Sequence, residues 1–128
     1  MEFSFGNVYL LKNCVISELK FGTVGTADQV RLVFNKSLEF YEKHDVIKKR
    51  VWIANRTQKY SVQLVGWIQL RDLAKTYLCG YCVVDDTSFG IMNAILESKF
   101  VPINFKAADT LDEAMEWVLD LELQMEHI

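Results

Sequence analysis

Proline and glycine are scarce in this chain: one proline, Pro102, and six glycines among 128 residues. That excludes collagen-like chains and Pro/Gly-rich disordered ones. No apolar stretch approaches the ~18–20 residues needed to cross a bilayer. Nothing basic precedes an apolar run in Met1-Glu2-Phe3-Ser4-Phe5, so no signal peptide is expected there. Histidine is limited to His44 and His127, and neither has a Cys, His or carboxylate at a ligand spacing on one helix face. No metal site is expected. The motifs G-x-G-x-x-G, P-loop, G-x-S-x-G and H-E-x-x-H are all missing. No nucleophile, base and oxyanion set assembles from what remains, so the chain is expected to be no enzyme and to need no cofactor. Three cysteines cannot all pair internally, which fits a reduced, cytoplasmic protein better than a disulfide scaffold.

What is present is an ordinary globular mixture, 51% hydrophobic and 24% charged. The length fits one domain over residues 1–128. The net charge of −3 argues against a nucleic-acid partner. The charge is unevenly spread. Lys43, Lys48, Lys49, Arg50, Arg56 and Lys59 face a single acid, Asp45, within residues 43–59. Seven acids and no Lys or Arg follow from Asp109 onward. Acids late in a helix oppose the macrodipole. The acidic end therefore either faces positive charge (in the same chain, a second copy or a basic partner) or forms a solvated face.

Hydrophobic periodicity outlines the elements. Residues 3–11 and 14–21 read as two strands joined at Lys12-Asn13, and residues 22–25 as a loop. Thr26 and Gln29 stand at capping-box spacing before a helix whose stripe is Val30, Val33, Phe34, Leu38 and Tyr41. Val51-Trp52-Ile53-Ala54 is a short apolar run, as expected of a strand covered on both faces. Ser61 is placed to cap a helix reaching about Tyr77, with Leu64, Trp67, Ile68, Leu70, Ala74 and Tyr77 inward. Leu78 to Val84 is another strand. Asp85-Asp86-Thr87-Ser88 offers several caps for a helix that buries Ile91, Met92, Ile95 and Leu96. Val101 to Phe105 is a last strand, which Pro102 marks as an edge or as its first residues. Thr110 and Glu113 form a second capping box, before a helix with the stripe Leu111, Ala114, Met115, Val118 and Leu121. The order β-β-α-β-α-β-α-β-α predicts an α/β fold, a mostly parallel mixed sheet with helices packed on it.

This order at this length resembles the STAS domain, the fold of the sporulation anti-anti-sigma factors. The loop Ala54-Asn55-Arg56-Thr57-Gln58-Lys59-Tyr60-Ser61-Val62 is similar to the Asn-Arg-x-x-x-Tyr-Ser-Val segment of small SpoIIAA-like bacterial proteins. The strand Gly80-Tyr81-Cys82-Val83-Val84 and the helix Leu111-Asp112-Glu113-Ala114-Met115-Glu116-Trp117 are similar to theirs as well. The resemblance implies a regulatory or protein-interaction module with a protein partner. In anti-anti-sigma factors a phosphorylated Ser in an Asp-Ser-type motif opens the helix after the third strand. By order, Ser61 and Thr57 hold the equivalent place here, without an Asp-Ser-Gly. Asp86-Thr87-Ser88-Phe89-Gly90 looks closer to that motif but lies one β-α unit later. Fold relatives of STAS domains include lipid-binding proteins, which makes a small-molecule or lipid-binding domain the alternative.

In open parallel sheets, ligands bind beyond the carboxyl ends of the strands. Two loops leave such ends. Asn55, Arg56, Thr57, Lys59, Tyr60 and Ser61 form a polar, cationic rim that leads into a helix start and suits an anion or an acidic segment. The other reading has Asn55 and Arg56 bracing the adjoining strands. Asp85, Asp86, Thr87 and Ser88 form the second loop. Side chains of the adjacent Asp85 and Asp86 are expected to diverge and to serve capping. Cys79-Gly80-Tyr81-Cys82 is a C-x-x-C. Residues three apart in a strand face opposite sides, which points to buried structural thiols and not to a redox pair. Trp52, Trp67 and Trp117 are expected in or at the core. Trp117 with Leu121 and Met125 offers an exposed strip for a homodimer or membrane contact, although the acidic helix argues against lipid.

Overall fold

Segments rich in Val, Ile and aromatics pair into a main six-stranded sheet in the computed structural model, which describes residues 1–126. In chain order the elements are β1 (Glu2–Phe3), β2 (Gly6–Leu10), β3 (Cys14–Leu19), β4 (Val24–Gly25), α1 (Ala27–His44), β5 (Arg50–Asn55), β6 (Ser61–Val62), α2 (Leu64–Gln69), α3 (Arg71–Tyr77), β7 (Leu78–Val84), α4 (Ser88–Ser98), β8 (Asn104–Ala108) and α5 (Leu111–Glu126). The main sheet runs β1-β2-β3-β5-β7-β8. β1, β2 and β3 are antiparallel, and β3, β5, β7 and β8 are parallel. This is the mixed, mostly parallel α/β sheet that the element order predicts.

Helices cover both faces. Val33, Phe34 and Tyr41 of α1, Ala74 of α3 and Ala94 of α4 pack on one side with Val15, Trp52, Tyr81 and Val83. On the other side α5 supplies Ala114, Val118 and Leu121 against Cys14, Ile16, Val51, Ile53, Cys82 and Val84. The central strand β5 lies between the layers and is buried at all six positions. Thr26 and Gln29 form the expected capping box on α1. At α5 the Thr110 hydroxyl accepts the Glu113 N–H, while the Glu113 carboxylate reaches back to the N–H of Asp109.

Several boundaries differ from the sequence reading. The first expected strand is split by a turn at Ser4-Phe5, because Gly6 sits at φ +154 against β3. A Cβ there would lie 2.5 Å from the Glu18 carbonyl oxygen. The expected loop 22–25 contains β4, which pairs in parallel with β6. Ser61 therefore belongs to a strand and does not cap a helix; the N-cap of α2 is Gln63, without a side-chain bond. The single helix expected up to Tyr77 is two helices that meet at Leu70, where φ is −105 and ψ 14. Leu64 and Ile68 point outward. The last strand begins at Asn104, beyond Pro102, which lacks the N–H a ladder needs. It is nevertheless an edge strand, as the proline foretold.

Two findings concern the α5 face. The β5–β7 register steps from Arg50↔Leu78 to Val51↔Gly80, leaving Cys79 as an extra residue in β7. This bulge puts Cys79 and Cys82 against the same layer, not on opposite faces. All three cysteines are free. Burial pushes the Cys14 thiol up to about 11 and the Cys82 thiol to about 12. Second, Trp117 and Leu121 pack on Gly80, so they do not form the exposed strip with Met125. A Cβ at Gly80 would lie 2.9 Å from the Trp117 ring and 3.0 Å from Leu121. Gly80→Ala is expected to lower unfolding free energy by about 1–3 kcal/mol through overpacking, measured by urea denaturation.

Candidate functional site

The parallel pairing of β5 with β7 brings their carboxyl ends together, Asn55 opposite Val84. The loops that leave them are therefore neighbours. Arg56 N–H donates to the Val84 carbonyl at 2.8 Å. From this point Arg56 turns inward and is buried. Its guanidinium donates to the Tyr81 hydroxyl at 2.9 Å and pairs with the Glu97 carboxylate at 2.8 Å. The second carboxylate oxygen of Glu97 accepts from the Trp67 indole at 2.8 Å. Burial works against the charge on Arg56, but Tyr81, Glu97 and Tyr60 outweigh it and raise its pKa above the ordinary value. One Arg links β5, β7, α4 and, through Glu97, α2.

Lys59 adopts φ 56, in the left-handed region. Its ammonium reaches Asp85 at 2.9 Å and also pairs with Asp86. Asp85 and Asp86 thus converge on one cation where divergence was expected. Hydrogen bonds that Lys59 donates to Asp86 and Asp85 hold its pKa above the usual value. Burial pushes the Asp85 carboxyl up, yet Lys59 and Thr87 outweigh that and hold it below the usual range. The same Asp85 oxygen accepts the Thr87 N–H and hydroxyl. Thr87 caps α4 by accepting the Gly90 N–H at 3.0 Å. The Asp85 carboxylate fills the place where a Gly90 Cβ would sit.

The rest of the rim is mixed. Asn55 is buried and donates to Glu18, while its own side-chain oxygen is unpartnered. The Tyr60 hydroxyl donates to the Ser17 carbonyl, and the Trp52 indole donates to the Ser17 hydroxyl. Burial pushes Tyr60 up to about 12. Thr57, Ser61, Asp86, Thr87 and Ser88 are exposed. Asn55 and Arg56 brace the strands, and the rim's two cations are already matched by carboxylates. The basic middle is largely used internally elsewhere too. Buried Arg50 stacks on the Tyr41 ring and pairs with Asp45. Glu122 of the acidic end lines a groove with Lys12, Lys48 and Lys49 of the same chain. His44 closes α1 with its ring against Phe40. His127 lies outside the described residues. Among the described residues no group of His, Cys, Asp and Glu converges to hold a metal.

Sequence reasoning missed Glu97 as a partner. The signal was present: it is the lone charge of α4. Its pairing turns Ala94 and Glu97 inward and leaves Met92, Ile95 and Leu96 exposed, with Ile91 half-buried, contrary to the apolar stripe expected. Phe89 is 75% exposed, Met92 63% and Leu96 54%; Ile68 on α2 is 63% exposed. Beside this face, under α1 and α2, lies an apolar cavity of about 80 Å³ walled by Phe34, Trp52, Tyr60, Trp67 and Leu70. No described helix is long and apolar enough to cross a membrane.

No protein-family model and no curated protein matches this chain. A search of solved structures finds similarity to an uncharacterised DUF3478-family protein from Shewanella loihica with a SpoIIAA-like fold. The alignment covers 88% of this chain and 91% of that one, at TM-score 0.50 and 12% identity. The fold is SpoIIAA-like. At this identity the likeness concerns the fold alone, and the site must be argued from its own geometry.

Glu97→Ala is expected to cost about 3–5 kcal/mol, because it strands the Arg56 charge in the core. The double variant Arg56→Met with Glu97→Leu should recover most of that loss in the same urea titration. The Asp85 contribution has a pH signature. Its pKa is lowered on folding from the usual 3.8, so its stabilisation is present above that value and disappears as pH falls through the folded one. Thermal melts across acid pH should show this loss in the parent chain, and a smaller loss in Asp85→Asn.

Proposed function

We propose that this chain is a non-enzymatic protein-interaction module, and that the α2–α4 face is its recognition surface. The observation that carries this reading is the outward surface of α2 and α4. The two helices are joined through Trp67 and Glu97, and their exposed sides hold apolar residues and no charge. Large exposed apolar patches mark interaction sites. The polar rim serves as a frame: Lys59 ties the two loops together. Thr57 and Ser61 stay exposed, which supports them as the places where a phosphate would act. Ser61 stands three residues before α2, so a dianion there would change the charge at the edge of the apolar face.

The cavity favours a second reading, a small apolar ligand held under α2. Its walls are aromatic and aliphatic, and the nearby Ser17, Tyr60 and Trp52 polar groups satisfy one another. A dry cavity of about 150 Å³ takes up benzene, and the volume here suits a smaller guest.

The test is affinity capture from the cells that make the protein, with the parent chain and the Ile68→Glu, Met92→Glu variant as baits, followed by intact-mass analysis. The expected result is a recovered protein that the variant loses while its melting temperature holds. Equal recovery by both baits would overturn the reading. An 80-Da increment (one phosphate) on Thr57 or Ser61 is the expected mark of phospho-regulation.

A further inference from the structure

The exposed residues of α4 have a regular spacing. Phe89, Met92 and Leu96 stand three and then four apart along the outward pole, opposite Ala94 and Glu97. A 3–4 alternation of large apolar residues is the seam that packs against another helix. Among the exposed positions of α4 there is no charge, since Glu97 is turned inward to Arg56. The charges stand at the ends and differ in sign. At the N-terminal end Asp85 and Asp86 surround the single Lys59, a net negative charge. At the C-terminal end Lys99 is exposed, with no ion pair among the described residues.

These features select a particular occupant. A membrane-seeking helix carries Lys and Arg along its polar face, and α4 has neither. A second α4 laid antiparallel matches every feature: stripe on stripe, Asp86 near Lys99 of the second copy at both ends, and opposed helix dipoles. The arrangement is isologous, so it closes as a two-fold dimer. At roughly 100 Å² for each half-exposed large side chain, Phe89, Met92, Ile95 and Leu96 of α4 offer about 400 Å². That is about half of the ~800 Å² per partner of a standard interface, the range of a reversible, concentration-dependent dimer.

We propose that two copies of this chain associate through antiparallel α4 helices, with the Phe89–Met92–Leu96 stripe of one against that of the other. The proposal rests on reading the α2–α4 face as an interaction surface and names its occupant. Residue 92 lies near the midpoint between Asp86 and Lys99, so it falls close to the two-fold axis and meets its own copy.

Sedimentation equilibrium of the full chain over a wide concentration range should give the dimer mass. Met92→Glu should give the monomer mass and a melting temperature that no longer rises with protein concentration, as the parent's should. Lys99→Glu should weaken the dimer, and adding Asp86→Lys should restore it. Met92→Cys should form an intermolecular disulfide with added oxidised glutathione. A parent chain that stays monomeric overturns the inference. So does a dimer that survives Met92→Glu and does not cross-link through Met92→Cys. If the chain is monomeric yet Met92→Glu still loses a captured protein, the second-copy inference alone fails. If no captured protein is lost either, the interaction reading fails with it.

Discussion

The buried pair between Arg56 and Glu97 sets the arrangement of much of one face. Arg56 leaves the central strand and would be an uncompensated charge in the core without Glu97. Desolvating two ions costs several kcal/mol each, and only close, well-bonded geometry repays it. Here the repayment is shared: Tyr81 accepts from the guanidinium, and the Trp67 indole donates to the carboxylate. The pair therefore works as a locator. It fixes how α4 is rotated on the sheet and where α2 lies beside it.

That rotation has a consequence for the surface. The most polar position of α4 is inside, and its large apolar residues are outside. A helix with its apolar stripe against the sheet would have exposed Glu97 and been soluble on every side. The charges of the rim are treated alike: Lys59 and Asp85 neutralise each other across the two loops. Arg56 and Lys59 are matched within the molecule, and the exposed positions of α2 and α4 themselves carry no charge.

Elements whose pattern reports burial directly were legible in the sequence. The α1 stripe, its capping box, the twice-covered β5 and the α5 stripe all follow from periodicity and cap spacing. Misreadings arose where a tertiary partner overrides local preference. Glu97 follows Arg56 inward and reverses the expected α4 face. Ser61 pairs with Val24 in a two-strand ladder and donates its N–H to the Thr23 carbonyl, a backbone bond that no periodicity announces. The bulge at Cys79 shifts the alternation by one residue, so strict strand counting set Cys79 on the wrong side. Of the rim, residue types and position were legible. The carboxylate that claims each cation was not, because Asp85 lies 26 residues from Lys59 and Glu97 lies further still from Arg56.

The layer under α5 bears on how the chain is made. Among the described residues α5 is the helix packed on this layer, and it is made after every strand it covers. While the ribosome has delivered everything up to β8, the sheet can pair and receive the other helices, but Val51, Ile53, Cys82 and Val84 still lack their cover. Transiently bare apolar surface of this kind is what promotes aggregation in growing chains. The same interval is when Cys14 and Cys82, buried in the finished fold, are open to oxidants.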